Sequence, residues 1–283
     1  MQIKIMIKHQ IVECVRELEC NNVAKVLSRN LSKIWLDVIY AIFLREVKSN
    51  SSDKFGIAWS VISPVAFIFM LSFLRGRMDG GDTHGIPTFF FMVYGMILIQ
   101  FFLGLVGSVS AAIKKHKPLY AFRQVQPISS ILAITLFECL VKVFVILVIG
   151  VMCFVLQFDI HISDPLSLLF NLLKVAIFSM SIGVIFSLAA CYIPEIDKVK
   201  LLLLRPMFFL SGVFFSLQDI PQEYWPYLTW NPVLHAIELT RYAVYTEYGN
   251  AGVSDLYLNV FTLTSLGVAL ACYHISWKQA ISR

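Results

Sequence analysis

The sequence has 283 residues, 58% of them hydrophobic and only 14% charged, against about 25% charged in soluble domains, and its mean hydropathy is +0.75. That composition excludes a water-soluble globule and indicates an integral membrane protein. The net charge of +5 does not point to nucleic acid, because the basic residues sort by membrane side rather than along one groove-sized face, and the six cysteines form no C-x-x-C pair that would suggest zinc or a disulfide framework.

In chain order, residues 1–32 carry Lys4, Lys8, Glu13, Arg16, Glu17 and Lys25 and hold no uninterrupted apolar stretch. They read as a cytoplasmic N-terminal extension without a signal peptide, which leaves the first span to act as its own insertion signal. KIWLDVIYAIFLREVKSN, residues 33–50, places Asp37, Arg45 and Lys48 in a polar sector and Ile34, Trp35, Val38, Ile39, Ile42 and Phe43 over the rest. It is too polar to span, and the pattern predicts an amphipathic helix lying in the cytoplasmic interface. A helix of a small soluble domain is the alternative.

About 20 mainly apolar residues cross a hydrocarbon core of roughly 30 Å. Spans are expected at about 55–74, 88–113, 128–156, 168–194, 199–217 and 256–277. The first and last are uncharged, whereas the third and fifth contain charges and rest on length and on the topology they imply. The expected architecture is all-α: a polytopic membrane protein with six transmembrane helices, the interface helix before them, and re-entrant outer helices within 218–250 before the last span. Six spans put both termini on one side. Seventeen of the 23 Lys and Arg residues fall in the tail 1–54, the loop 114–127, the turn 195–200 and the C-terminus, against three in the alternate loops. The positive-inside rule then makes both termini cytoplasmic.

Ionisable groups at membrane depth are costly and turn toward a cavity or a partner. Glu138 and Lys142 lie four apart with the acid first, the favourable order for a helical ion pair; they either serve function or meet the cytoplasmic interface. The 12 residues from Pro206 to Leu217 would rise only about 18 Å as a helix, so the fifth span is expected to include Arg205, either snorkelling or facing a translocation cavity. Pro206 beside it permits a kink or hinge.

QEYWPYLTWNPVLHAIELTR, residues 222–241, sits between two apolar segments. Asn231 followed by Pro232 is a helix start, and Pro221 opens a segment that Pro226 is expected to interrupt. Trp225, Tyr227, Trp230, Tyr242 and Tyr245 give these short pieces more aromatic surface than a solvated loop carries. That suits either an outer aromatic belt or backbone dipping into the membrane, which is tolerated only when buried in protein or lining a water-filled cavity. His235, Glu238 and Arg241 recur at spacing three. Their shared polar face predicts the rim of a pathway for a polar solute, with Trp225, Tyr227, Trp230 and Tyr242 beside it.

No lysine follows a glycine in a G-x-x-x-x-G-K-[ST] pattern, so the chain is not expected to hydrolyse ATP. No H-E-x-x-H, G-x-S-x-G or paired-histidine pattern gives enzyme chemistry or metal binding a foothold. A secondary transporter or channel would show internal repeats, which the two halves lack, and a membrane-embedded glycosyltransferase would need clustered carboxylates or histidines in an exposed loop. The basic loop KKHKPLYAFRQVQP, residues 114–127, either meets anionic lipid headgroups or docks a soluble motor.

Two stretches carry a family likeness. FLREVKSNSSDKFGIAWSVISPVAF (43–67) reads as an interface helix running into a first span. More specific is LLRPMFFLSGVFFSLQDIPQEYWPYLTWNPVLHAIELTRYAVY (203–245), in which an SG-x-FF segment, a YWPY-type turn and a WNP-x-LHA-x-E-x-x-R helix start occur in order. Together they resemble the permease subunits of ABC-2 type exporters, most closely the inner-membrane permeases of bacterial capsular polysaccharide export, and the resemblance covers about residues 33–280. It implies a single ABC-2 type transmembrane permease domain over 33–283, homodimeric in the bacterial inner membrane. It also implies two cytosolic ATP-binding subunits that use ATP and Mg, while this chain binds no cofactor. A periplasmic adaptor, an outer-membrane conduit and membrane lipid are the further implied partners. The implied substrate is a capsular polysaccharide, lipid-linked and anionic, with Arg205 and Arg241 as lining cations and the aromatics as sugar-stacking surfaces. Arg45, Glu46, Lys114, Lys115, Lys117, Arg123, Glu195 and Asp197 would couple to the motors through the interface helix, the basic loop and YIPEIDKVK (192–200). Permeases for O-antigen or teichoic-acid-type polymers share this layout and are the alternative. Residues 1–32 extend beyond the resemblance.

Overall fold

A computed structural model describes residues 31–51, 56–78, 82–122, 124–159, 161–193 and 195–282. The expected extension 1–32 and Arg123 fall outside the described residues, apart from the first two residues of α1 (Leu31–Ser51). The chain divides into two units within that helix, after Leu36. The packing described below belongs to residues 37–283.

After α1 come α2 (Gly56–Met78), α3 (Thr88–Lys115), α4 (Pro127–Val155), α5 (Pro165–Tyr192), α6 (Ile196–Leu210), α7 (Trp225–Leu228), α8 (Pro232–Val244) and α9 (Asp255–Ser282). Of these, α2, α3, α4, α5 and α9 are long and apolar enough to cross a membrane; the 28 residues of α3 rise about 42 Å. The protein is therefore an all-α, polytopic membrane protein. Between α2 and α3 lies a small antiparallel hairpin, β1 (Asp82–Thr83) and β2 (Ile86–Pro87). Its two turn residues, His84 and Gly85, have φ of 52° and 80°, the backbone a two-residue hairpin turn requires.

The fifth expected span differs from expectation. In place of a helix through 217, α6 stops at Leu210 after 15 residues, about 22 Å, and 211–216 continue as non-helical chain. Gly212 adopts φ of 71°, a left-handed backbone that glycine takes without steric cost and that no α-helix can carry. Apolar composition alone gives no sign of that break. Pro226 also behaves differently: it lies in the first turn of α7, where its missing N–H is no loss, and it interrupts nothing.

α3 is the central helix, packed against α2, α4, α5 and α8. Its buried side chains include Phe91, Met92, Met96, Ile99, Leu105, Val109 and Ile113. α5 comes close to α3 because residue 183 is glycine: a Cβ there would lie 2.7 Å from the Cβ of Val109. α9 packs along α5, and Ile39 and Ile42 of α1 form a separate small cluster with Ala133 of α4. Asp164 caps α5 by accepting the N–H groups of Leu166 and Ser167, both at 3.1 Å, ahead of Pro165.

Replacing Gly183 by alanine is expected to lower the thermal unfolding midpoint of the purified chain, overpacking of this kind costing about 1–3 kcal/mol. Adding Val109→Gly, which removes the Cβ that the new methyl would meet, should recover part of the loss. An unshifted midpoint in Gly183→Ala would show that α3 and α5 do not touch at this point.

Candidate functional site

The non-helical segment after α6 runs through the interior, with Ser211, Gly212, Val213 and Ser216 all buried. Carbonyl groups removed from water need donors, and α8 brings one side chain that provides them. The guanidinium of Arg241 is fully buried. Its Nη1 donates to Gly212 O at 2.7 Å and Phe215 O at 3.5 Å, its Nη2 to Val213 O at 3.1 Å and Phe91 O at 3.2 Å, and its Nε to Phe91 O at 3.3 Å. Cζ stands 3.4 Å from the centre of the Phe91 ring, a cation–π contact. One turn earlier on α8, Glu238 Oε1 accepts from Nη1 at 3.1 Å and balances the charge. Room for the guanidinium against α3 depends on Gly95, where a Cβ would lie 2.8 Å from Nη2 and 3.3 Å from the Val213 Cα.

The other Glu238 oxygen lies 2.7 Å from the Tyr248 hydroxyl, which is also 2.6 Å from Ser216 Oγ. A carboxylate only accepts, so the single phenolic proton goes to Glu238 and the serine hydroxyl donates to the tyrosine. Ser216 opens a 3-10 turn (Leu217–Asp219) as one half of a capping box: its backbone N–H donates to Asp219 Oδ2 at 2.8 Å. Asp219 Oδ1 meets His84 Nε2 at 2.7 Å. One continuous network therefore joins α3, the 211–219 segment, α8, the 246–248 turn and the β1–β2 hairpin.

His235, one turn before Glu238, holds two further pieces. Its Nε2 lies 2.7 Å from Thr229 O and can only donate there, while Nδ1 accepts the Ser254 N–H at 3.0 Å, just ahead of α9. These partners fix the neutral Nε2–H tautomer, and burial pushes the imidazole's pKa down, in the same sense. The expected open rim of His235, Glu238 and Arg241 is thus an internal face, all three side chains being buried. The residues do share a face, but it is turned toward irregular backbone that lacks donors, not toward open space.

The other expected pathway residues lie elsewhere. Tyr227 and Trp230 are exposed and, with Leu202, Leu203, Pro206 and Leu210 of α6, line an apolar cavity of about 200 Å³. Arg205, exposed, precedes Pro206 on α6, a helix with no buried residue. Trp225 is half-buried and donates Nε1–H to Ile220 O at 2.8 Å. Tyr242 lines a different, polar cavity between α5, α8 and α9. Within the spans, Glu138 accepts from Ser108 Oγ at 2.5 Å and Lys142 is buried with its Nζ 6.0 Å from the Phe101 ring centre; both turn to α3.

At the C-terminal end of α3 a second cluster forms. The buried Glu46 of α1 receives Lys115 Nζ at 2.5 Å and His116 Nε2 at 2.8 Å. Burial alone would raise the Glu46 carboxyl, but the hydrogen bonds from His116 and Lys115 outweigh it and hold its pKa below the ordinary value. Lys114 reaches Asp197 of α6 at 3.4 Å; Lys200 lies 3.0 Å from the same carboxyl and donates to Ser110 Oγ of α3 at 2.7 Å. Glu46 with Lys115, and Lys114 with Asp197, are thus brought together. Arg45, Lys117 and Glu195 are exposed and carry no ion pair among the described residues, and Arg123 lies outside them.

Sequence reasoning missed Gly95, Ser216, Tyr248, His116 and Lys200. Two signals were present: the lone glycine in FFFMVYGMILIQFF marks a close approach, and S-L-Q-D at 216–219 is an S-x-x-D cap. Tyr248 and Lys200 carry no local signal, because their partners are distant in sequence.

The profile of a family described as ABC-2 type transporter matches residues 37–245. The polysialic acid transport protein KpsM of Escherichia coli is 33% identical to this chain over 236 residues, 83% of this chain and 92% of that protein. The capsule polysaccharide export inner-membrane protein CtrC of Neisseria meningitidis is 24% identical over 246 residues, 83% and 89% of the two chains. The inner membrane transport permease YadH of Escherichia coli is 26% identical over 256 residues, 85% and 95%.

Arg241→Met leaves buried carbonyls and a buried Glu238 unpaired, and removing one member of a buried pair costs about 3–5 kcal/mol. Loss of folded protein, or a large drop in the detergent unfolding midpoint, is expected, and Arg241→Lys should not restore it because an ammonium cannot reach this fork of acceptors. A methionine variant as stable as the parent would show the guanidinium to be dispensable. Because the folded Glu46 pKa is depressed, its stabilising contribution is present above the ordinary 4.5 and is lost as pH falls through the folded value. Below pH 4.5 the midpoint of the parent should therefore fall more steeply than that of Glu46→Gln.

Proposed function

Because this chain belongs to the ABC-2 type transporter family, we propose that it is the permease subunit of an ATP-driven exporter of capsular polysaccharide in a bacterial inner membrane. The observation that carries the reading is the similarity to the polysialic acid transport protein KpsM along 83% of this chain, supported by the likeness to CtrC. ATP and Mg are used by a separate cytosolic subunit, and this chain binds neither. Two copies of the chain work with two such subunits, and a periplasmic adaptor and an outer-membrane conduit take the polymer onward.

In this reading both termini are cytoplasmic, and α6 with the 211–219 segment makes the sixth crossing. Support comes from the contacts at its two ends: α6 starts at Lys114, on the C-terminal end of α3, and its exit is joined through Arg241 to Phe91 near the N-terminal end. The polymer, lipid-linked and anionic, passes along the unburied side of α6, where Arg205 offers charge and Tyr227 and Trp230 offer aromatic surface. Arg241, Glu238 and His235 hold the outer elements in position and do not touch it. Closing of the ATPase presses on α1 and the basic loop, and the buried Glu46 bonds to Lys115 and His116 pass that load to α3. From there it reaches α8 through Phe91 and Arg241.

A strain lacking this chain is expected to trap polymer inside the cell, identifiable chemically as the capsular glycan; normal surface polymer in that strain would overturn the reading. Arg205→Ala should reduce surface polymer several-fold with membrane insertion unchanged. Reversing the charge of Lys114, Lys115 and Lys117 together should weaken co-purification of the ATPase, and undiminished recovery would leave that loop a lipid contact.

A further inference from the structure

A second cavity, of about 450 Å³, opens between α5, the C-terminal half of α8, the 246–253 segment and the start of α9. It shares no residue with the Arg241 network, and its size falls in the range of small-molecule sites. Polar groups make up about half of its walls, among them Asp164, Asn171, Lys174, Tyr242, Asn250 and Asn259. Its cation is already neutralised: Lys174 is ion-paired with Asp255, whose second oxygen accepts from Asn259 Nδ2 at 2.8 Å. Asp164 uses both oxygens on the first turn of α5, accepting from Leu166 N–H, Ser167 N–H and Ser167 Oγ.

Asn171 is different. It lies two turns into α5, is only 4% exposed, lines the cavity, and hydrogen-bonds to no described protein group. Its amide, unengaged by protein, faces the cavity, where it can both donate to and accept from a bound molecule. The available chemistry is amides, hydroxyls and paired carboxylates, with no free cation. A phosphate or carboxylate would meet Asp164 and Asp255, whereas a neutral ring rich in hydroxyls can both donate and accept. The rings of Phe170 and Tyr242 and the side chain of Leu239 offer its C–H face an apolar wall.

We propose that this cavity binds one neutral sugar unit, anchored on the buried amide of Asn171 and walled by Tyr242. The proposal rests on the reading of the chain as a polysaccharide exporter and names a site for an uncharged residue of the polymer, apart from the α6 side where its charged residues would pass. The test is saturation-transfer NMR on the full chain in nanodiscs, with maltotriose, chitotriose and a sialic acid trimer as probes. At least one neutral trisaccharide is expected to bind, and the acidic trimer more weakly. Asn171→Leu should weaken that binding about five-fold or more, the loss of one hydrogen bond to the amide, while the unfolding midpoint holds because no protein hydrogen bond is removed. Tyr242→Phe, which keeps the fold and the ring, should weaken binding less. Binding of neither neutral trisaccharide, or equal binding by the parent and Asn171→Leu, would overturn the proposal. That failure is separable from failure of the export reading, which is judged by surface polymer in the strain lacking the chain.

Discussion

One end of this molecule depends on one guanidinium. A chain that leaves helical geometry inside an apolar interior strands its carbonyl groups, and each stranded group costs several kcal/mol at membrane depth. Here the break at Gly212 strands a cluster of them, and Arg241 answers with donors to Phe91, Gly212, Val213 and Phe215 while Glu238 balances its charge. Lysine could not substitute: its ammonium is a compact point, whereas the guanidinium is a planar fork whose five N–H groups reach several acceptors at once. The charge pair is tolerable only because its members are hydrogen-bonded so fully.

With that pair in place, α8 can be buried although its 13 residues are too few to span. A short buried helix exposes orphan groups at both ends, and both ends are met by protein. Asn231 accepts the Val233 N–H at the start. At the finish, Ser163 and Asp164 donate backbone N–H groups to Val244 O and Ala243 O. The two ends of α3 are thus tied by polar contacts, Glu46 to Lys115 and His116 at one and the Phe91 carbonyl to Arg241 at the other. On the function proposed above, a helix fixed at both ends is a strut: displacement of α1 cannot be absorbed at Glu46 without breaking its bonds to Lys115 and His116, so it travels along α3 to the Arg241 end.

What could be read from the sequence follows from range. Long apolar runs and the positive residues between them are local, and the all-α architecture was visible in them. Asn231–Pro232 is local too, and so was the start of α8. The break in α6 was hidden because a glycine's φ is not written in composition, and the stretch on either side of Gly212 is as apolar as a span. The hairpin at 82–87 has strands of two residues, too short for any period to register. Spacing of three grouped His235, Glu238 and Arg241 correctly on one face, yet periodicity tells which residues share a face and not what that face meets. The cluster at the far end of α3 was partly anticipated because its lysines are consecutive. Its partners, Glu46 and Asp197, lie 69 and 83 residues away from theirs, which no local pattern encodes.

The same physics separates the two arginines that looked alike in the sequence. Arg241 has every donor engaged by protein, so it has nothing left for a polymer. Arg205 stands on a helix with no buried residue, among exposed Leu201, Leu202 and Leu203. It lies nine residues from the start of α6 at Ile196, about 14 Å along the axis from the turn where Asp197 marks the polar end. Lipid on this side would suit the leucines and leave the cation unsolvated. On the function proposed above, this surface, apolar for most of its length, charged at one point and flanked by Tyr227 and Trp230, is the side assigned to the polymer, whose acidic groups would satisfy the guanidinium while the leucines border the route.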